Sequence, residues 1–152
     1  MKTQLKIAWI SARRGKDKMP AVTALTAEYM NRIARYAPTD TAEFESETAL
    51  FAGIKRPGRT APFVIVLDAR GKQLSSEELA DFLRKHVDQG TRRLVFAVGG
   101  ADGFSDEARK SAHFQLSLGK MTLPHELARV VLLEQLYRAF TILKGHPYHT
   151  GH

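Results

Sequence analysis

The sequence predicts an α/β fold: a mostly parallel sheet with helices on both faces. Three observations lead there. Predicted strands and helices alternate along the chain, the pattern that βαβ crossovers impose. Two segments, Phe63 to Leu67 and Arg93 to Val98, are apolar without alternation, as strands covered on both faces are. The last helix, from about Pro124 to Leu143, is apolar on most of its circumference, unlike a helix with one wet side. No linker, repeat or low-complexity tract interrupts the pattern, so residues 1–152 read as one domain.

The elements follow in order. Gln4 to Ser11 reads as a strand that ends in a basic, Gly-containing loop with Arg13, Arg14, Lys16 and Lys18. Pro20 opens a helix to about Tyr36, with Val22, Leu25, Tyr29 and Ile33 at helical spacing and Pro38 just beyond. Thr41 to Glu47 is a weakly signalled strand. Gly53 to Pro62, with Lys55, Arg56 and Arg59, reads as a basic loop. After the strand ending at Leu67, Asp68-Ala69-Arg70-Gly71-Lys72 has turn composition. Ser75 and Glu78 have capping-box spacing and start a helix to about Gln89, stopped by Gly90. The strand from Arg93 to Val98 breaks at Gly99-Gly100. A short helix begins at Ser105, a last strand spans Phe114 to Leu118, and a loop, Gly119 to Leu123, leads into the final helix.

Composition narrows the class. Hydrophobic residues make up 43% and charged residues 26%, as in a soluble domain with one core. There is no cysteine, which excludes disulfides and thiolate metal sites. The longest apolar runs are a handful of residues, and no signal peptide or membrane span is expected, which points to the cytoplasm. The net charge of +7 and the clustering of Lys and Arg in two loops favour a polyanionic partner.

In a sheet of this kind ligands bind outside the carboxyl ends of the strands. Three loops qualify: the one after Leu67, the one at Gly99-Gly100, and the one after Leu118. Gly99-Gly100-Ala101-Asp102-Gly103 lacks the spacing and position of a dinucleotide fingerprint, and no Walker A sequence is present. Taken alone, the segment suits a tight βα turn as well as a ligand contact. His146, His149 and His152 recur every third residue, but Pro147 and the lack of a rigid element or a Cys partner argue against a metal. Arg138 sits among apolar neighbours, either as an anion clamp or as the i, i+4 partner of Glu134. Trp9 reads as core. The breadth of the final helix predicts one face on the sheet and one on a homodimer partner, so that Leu136→Asp or Phe140→Asp yields monomers.

Several segments are recognisable in sequence. Val66-Leu67-Asp68, Ala97-Val98-Gly99-Gly100 with Gly103, Leu116-Ser117-Leu118 and Met121-Thr122-Leu123-Pro124-His125 come first. Ala128-Arg129-Val130, Glu134-Gln135-Leu136-Tyr137-Arg138-Ala139 and His146-Pro147-Tyr148-His149 follow. The chain resembles the SPOUT-class ribosomal RNA large-subunit methyltransferase H family over nearly its whole length. The resemblance implies a C-terminal trefoil knot, a homodimer and S-adenosylmethionine as methyl donor. It also implies methylation at N3 of a pseudouridine in large-subunit (23S) ribosomal RNA, on the assembled ribosome, with no membrane or metal involved. Cofactor contacts would fall on Leu67, Gly99, Leu118, Gly119, Lys120, Met121, Thr122 and Leu123. Arg138, Tyr148 and His149 would be the catalytic residues: His149 as base, Arg138 stabilising the anion, Tyr148 orienting the target. The family often has Ser-Ala where Gly119-Lys120 stands, so contacts there would be made by backbone. A non-catalytic RNA- or ribosome-binding protein with a similar fold is the alternative.

Overall fold

The computed structural model describes residues 3–11, 19–55 and 58–149. The basic residues Arg13, Arg14, Lys16, Lys18 and Arg56, and His152 at the chain end, lie outside them. Five strands form one sheet in the order β2-β1-β4-β3-β5: β1 (Gln4–Ile10), β2 (Thr39–Phe44), β3 (Phe63–Gln73), β4 (Arg93–Val98) and β5 (Phe114–Ser117). Every pairing is parallel. The helices are α1 (Pro20–Ile33), α2 (Glu47–Ile54), α3 (Ser76–Gln89), α4 (Asp106–Ser111) and α5 (His125–Lys144), followed by a 3₁₀ turn at Pro147–His149.

Strand periodicity sorts the core into two layers. Leu5, Ile7, Ile65, Leu94 and Phe96 face one side, where they meet Ile33 of α1, Leu83 of α3 and Leu132, Leu133 and Leu136 of α5. Ala8, Val64, Val66, Val95 and Ala97 face the other, under Leu50 and Ile54 of α2 and Ala108 of α4. Both faces are covered, which is why the central strands read as unbroken apolar runs. Each fully buried Leu or Ile contributes roughly 1.5–3 kcal/mol relative to exposure.

Local chemistry sets the boundaries. Ser75 Oγ accepts the Glu78 N–H at 3.0 Å and Glu78 Oε1 accepts the Ser75 N–H at 2.8 Å, completing the capping box of α3. Gly90 ends that helix.

Three expectations are corrected. Residues 47–54 form α2 rather than part of a strand and a loop, because Ser46 Oγ caps the helix by accepting the Ala49 N–H at 3.1 Å. Residues 68–72 are not a simple turn: β3 continues to Gln73, with Leu67 and Lys72 both opposite Leu116, so the intervening residues bulge. Gly71 permits this, since a Cβ there would stand 2.6 Å from the Gln115 carbonyl oxygen. Trp9 is only half-buried, with the Arg129 guanidinium 4.1 Å from its ring centre.

Helix α5 packs against both α1 and α3, so its middle is buried within one chain. Leu136 is fully enclosed and Phe140 nearly so, which makes them core positions rather than partner-facing ones. The apolar side chains that α5 and the loop before it leave exposed are Met121, Leu123 and Leu127. No described helix is long and apolar enough to cross a membrane.

Candidate active site

The bulge of β3 and the loops at the carboxyl ends of β4 and β5 meet around a crevice of about 560 Å³. Leu67, Gly99, Leu118, Gly119, Met121, Thr122 and Leu123 all line it. Lys120 belongs to the same loop, but its side chain is exposed and does not line the cavity. Asp68, Gly100, Gly103 and Ala128 add to the wall.

The backbone shapes this crevice. A Cβ on Gly99 would lie 3.1–3.2 Å from the backbone of Gly103, which itself turns with φ +72. The two glycines therefore let the β4–α4 loop fold back tightly on itself. Ser117 Oγ donates to the Gly119 carbonyl at 3.0 Å and accepts the Gly119 N–H at 3.1 Å, fixing the start of the loop that leads to α5. Beyond it, the backbone N–H groups of residues 120–123 have no hydrogen-bond partner among the described residues. A buried polar ligand needs such donors, and an apolar wall with a few polar backbone groups is the usual build of a small-molecule pocket.

Asp68 sits at the crevice edge with its side chain only 8% exposed. Burial alone would raise its carboxyl, but hydrogen bonds from Arg70 and the charges of Arg70 and Arg109 hold it below the ordinary aspartate range. Arg109 Nε lies 3.2 Å from Asp68 Oδ2, and its Nη2 pairs with Asp106. The Arg109–Asp68 pair ties α4 to the bulge of β3.

A second cluster forms where the C-terminal turn folds back on α5. Glu134 is its hub. Its Oε2 accepts from Arg138 Nη2 and Nε at 2.8 and 3.2 Å and from the Tyr148 hydroxyl at 2.8 Å. Arg138 Nη1 reaches His149 Nδ1 at 3.0 Å, and His149 Nε2 lies 3.1 Å from Glu77 Oε2 on α3. The Arg138 guanidinium also stands 4.9 Å from the Tyr148 ring centre. Of the two sequence readings of Arg138, the structure realises the i, i+4 pairing with Glu134. The hydrogen bonds that Arg138 donates to Glu134 raise its already high pKa. Burial, then the bond to Glu134, pushes the Tyr148 phenol well above its ordinary value, so it keeps its proton.

Arg138, Tyr148 and His149 thus come together, but apart from the crevice. Ala128 lines the crevice and Arg138 lies ten residues further along α5, about 15 Å at roughly 1.5 Å per residue. His146 turns elsewhere, with its Nδ1 2.5 Å from the Tyr36 hydroxyl. Among the described residues no three His, Cys, Asp or Glu side chains gather as a metal site would require.

Sequence reasoning missed Glu77, which has no local relation to the tail. It also missed the pairing of Trp9 with Arg129. That stack borders a second cavity of about 570 Å³ between α1 and α5, whose wall includes Met19, Thr23, Met30 and Glu126. Burial lowers the Arg129 pKa, and the charges of Glu43 and Glu126 offset part of that effect.

Comparison with known proteins places this geometry. Residues 4–149 match the family model described as predicted SPOUT methyltransferase. The chain is 57% identical over 149 residues to the ribosomal RNA large subunit methyltransferase H of Koribacter versatilis (strain Ellin345), covering 98% of this chain and 99% of that one. In fold it is similar to a probable methylase family protein from Haemophilus influenzae Rd KW20, with a TM-score of 0.60 at 10% identity over 99% of this chain and 71% of that one. It is also similar to the SpoU methyltransferase AviRb from Streptomyces viridochromogenes, solved in complex with the cofactor AdoMet, with a TM-score of 0.50 at 11% identity over 91% and 58%.

Proposed function

The chain belongs to the SPOUT methyltransferase family, within the group of ribosomal RNA large subunit methyltransferase H proteins, and from that membership we propose that it methylates large-subunit ribosomal RNA with S-adenosylmethionine. The target in this reading is N3 of a pseudouridine, presented in the cytoplasm by the assembled ribosome. The protein acts as one domain, with the family's trefoil knot in its C-terminal part. The observation that carries the reading is the crevice at the carboxyl ends of the strands, whose loop 120–123 offers backbone N–H groups with no internal partner. Its volume and its mixed apolar and backbone wall fit a nucleoside-bearing sulfonium. Leu67, Gly99, Leu118, Gly119, Met121, Thr122 and Leu123 would hold it, and Lys120 would contribute backbone only.

When bound, S-adenosylmethionine supplies an electrophilic methyl group on a sulfonium. The chain's task is then to position the acceptor and manage a proton. N3 of pseudouridine carries an imino proton that must leave before or during attack. Tyr148, whose phenol is pushed upward by burial and its bond to Glu134, serves in this reading by stacking on and orienting the ring. Arg138, always charged, stabilises the anion spread over the flanking carbonyls. His149 takes the proton. The distance between this cluster and the crevice of the same chain favours a site shared between two protomers, with one tail serving the partner's crevice. The second copy would cover Leu127 and its exposed apolar neighbours.

The test is a methyl-transfer assay with labelled donor on ribosomes, isolated large subunits and naked ribosomal RNA, beside calorimetry with S-adenosylmethionine. The reading expects donor binding and transfer to a single pseudouridine, fastest on the assembled particle. A protein that binds ribosomes but takes up no donor would be the non-catalytic binding module instead.

A further inference from the structure

The end of the sheet opposite the crevice has its own cavity, about 540 Å³, at the amino ends of β3 and β4. Basic side chains reach it from three separate stretches of chain. Lys55 and Arg59 follow α2, Arg93 opens β4, and His113 precedes β5. Arg93 is fixed in place by donating to the carbonyls of Thr60 at 2.9 Å and Ile54 at 3.0 Å. His113 Nδ1 accepts the Val64 N–H at 2.9 Å while its ring stacks on Phe63 with centroids 4.9 Å apart. Nε2 therefore carries the proton and is the nitrogen left to donate. Lys55 and Arg59 are exposed and form no ion pair with a described residue. Among the described residues no carboxylate lines the cavity. The shallow cleft on the far side of Arg59 includes Asp40, which is already paired with Lys6 at 2.7 Å.

Lys55 and Arg59 stand open to solvent without an ion pair among the described residues, beside the anchored Arg93. That arrangement attracts phosphates strung along a polymer, and each contact made releases condensed counterions. The methyl-transfer site does not use them. β4 has six residues, so Arg93 and Gly99 stand about 20 Å apart at roughly 3.3 Å per residue. A ligand touching both ends must span at least about 20 Å.

We propose that this cavity is a second RNA-docking site, taking backbone phosphates of a large-subunit RNA segment other than the one offered to the crevice. The inference rests on the reading of function given above and deepens it: the particle would grip the enzyme at both ends of its sheet.

The experiment compares Arg59→Glu and Lys55→Glu/Arg59→Glu with Lys85→Glu, a single charge reversal of the same size on the exposed face of α3. Binding to labelled large-subunit RNA and to ribosomes is followed by anisotropy and sedimentation across salt concentrations, apart from any methyl transfer. The double variant should bind both about tenfold more weakly or worse. The slope of log affinity against log salt should shallow by about one for each lost phosphate contact. Donor affinity should be unchanged. RNA affinity and salt slope matching those of Lys85→Glu would overturn the proposal. So would loss of ribosome binding with RNA binding intact, since the occupant would then be a protein. If inorganic phosphate alone competed as well as RNA, the cavity would be a site for a small anion and the proposal would also fall. Wild-type protein that binds RNA yet transfers no methyl would contradict the function while the same binding data still decide on the cavity.

Discussion

Arg138 Nη1 lies 3.0 Å from His149 Nδ1, and that contact fixes the tautomer of the imidazole. A guanidinium only donates, so Nδ1 accepts and Nε2 carries the proton, facing Glu77 Oε2 at 3.1 Å. Both ring nitrogens are committed in the free protein. To serve as a base, His149 must exchange Arg138 for the target ring, and the released guanidinium is then available to the ring's carbonyls. His149→Ala should lower the single-turnover methylation rate by about 10² or more and change its pH profile. Arg138→Lys should cost nearly as much, because an ammonium cannot hold Glu134 and the developing anion together. If His149→Ala keeps the wild-type rate and pH profile, the proton leaves by another route.

Gly99 tests the crevice without touching the tail. The backbone of Gly103 stands 3.1–3.2 Å from where a Cβ would be, so Gly99→Ala must push the β4–α4 loop outward. The expected result is a loss of donor affinity of tenfold or more by calorimetry, with a destabilisation of about 1–3 kcal/mol from overpacking. Unchanged affinity would place the donor elsewhere.

Much of this fold was legible because local and tertiary preferences agree. The capping box and Gly90 bound α3, and the apolar run of β4 ends where the paired strand ends. Helix α2 was not legible. It is short, its apolar residues do not fall on one clean stripe, and a basic Gly/Pro tract follows it, although Ser46 and Glu47 are a fair cap signal. The continuation of β3 was not legible either, since Asp68 to Lys72 has turn composition and only the pairing of Gln73 with Ser117 makes it strand. In the site, the loops after β4 and β5 followed from the rule on strand ends, whereas the outward side chain of Lys120 needed the structure. Glu134 was visible as a helical neighbour of Arg138. Glu77 lies 72 residues before His149, and no periodicity connects them.

Leu127 is the position at which to test the shared site. It is 42% exposed on α5, whereas Leu136 is fully buried within its own chain. Leu127→Asp should leave the thermal midpoint within a few degrees, shift the protein to monomers in sedimentation, and abolish transfer while sparing donor binding. Leu136→Asp should instead unfold the chain, because an uncompensated carboxylate in the core costs several kcal/mol. A Leu127→Asp protein that stays dimeric and active would move the partner interface away from this part of α5.

His86 sets a pH dependence of stability that is separate from catalysis. Its imidazole is buried between Phe63 and Phe82, with ring centroids 4.3 and 4.8 Å away, and Nδ1 is 2.8 Å from Thr91 Oγ1. Burial lowers its pKa below the ordinary 6.5, so the unfolded chain binds a proton more readily than the folded one. By linkage, the stability it contributes is fully present above about pH 6.5, declines as pH falls from there through the lower folded value, and then levels off. Thermal unfolding followed from pH 7.5 to 5 should therefore show a falling midpoint in the wild type. His86→Leu, which keeps the contacts with both rings and cannot titrate, should flatten that fall while costing some stability at pH 7.5 through the lost bond to Thr91. An identical slope in the variant would assign the dependence to other groups.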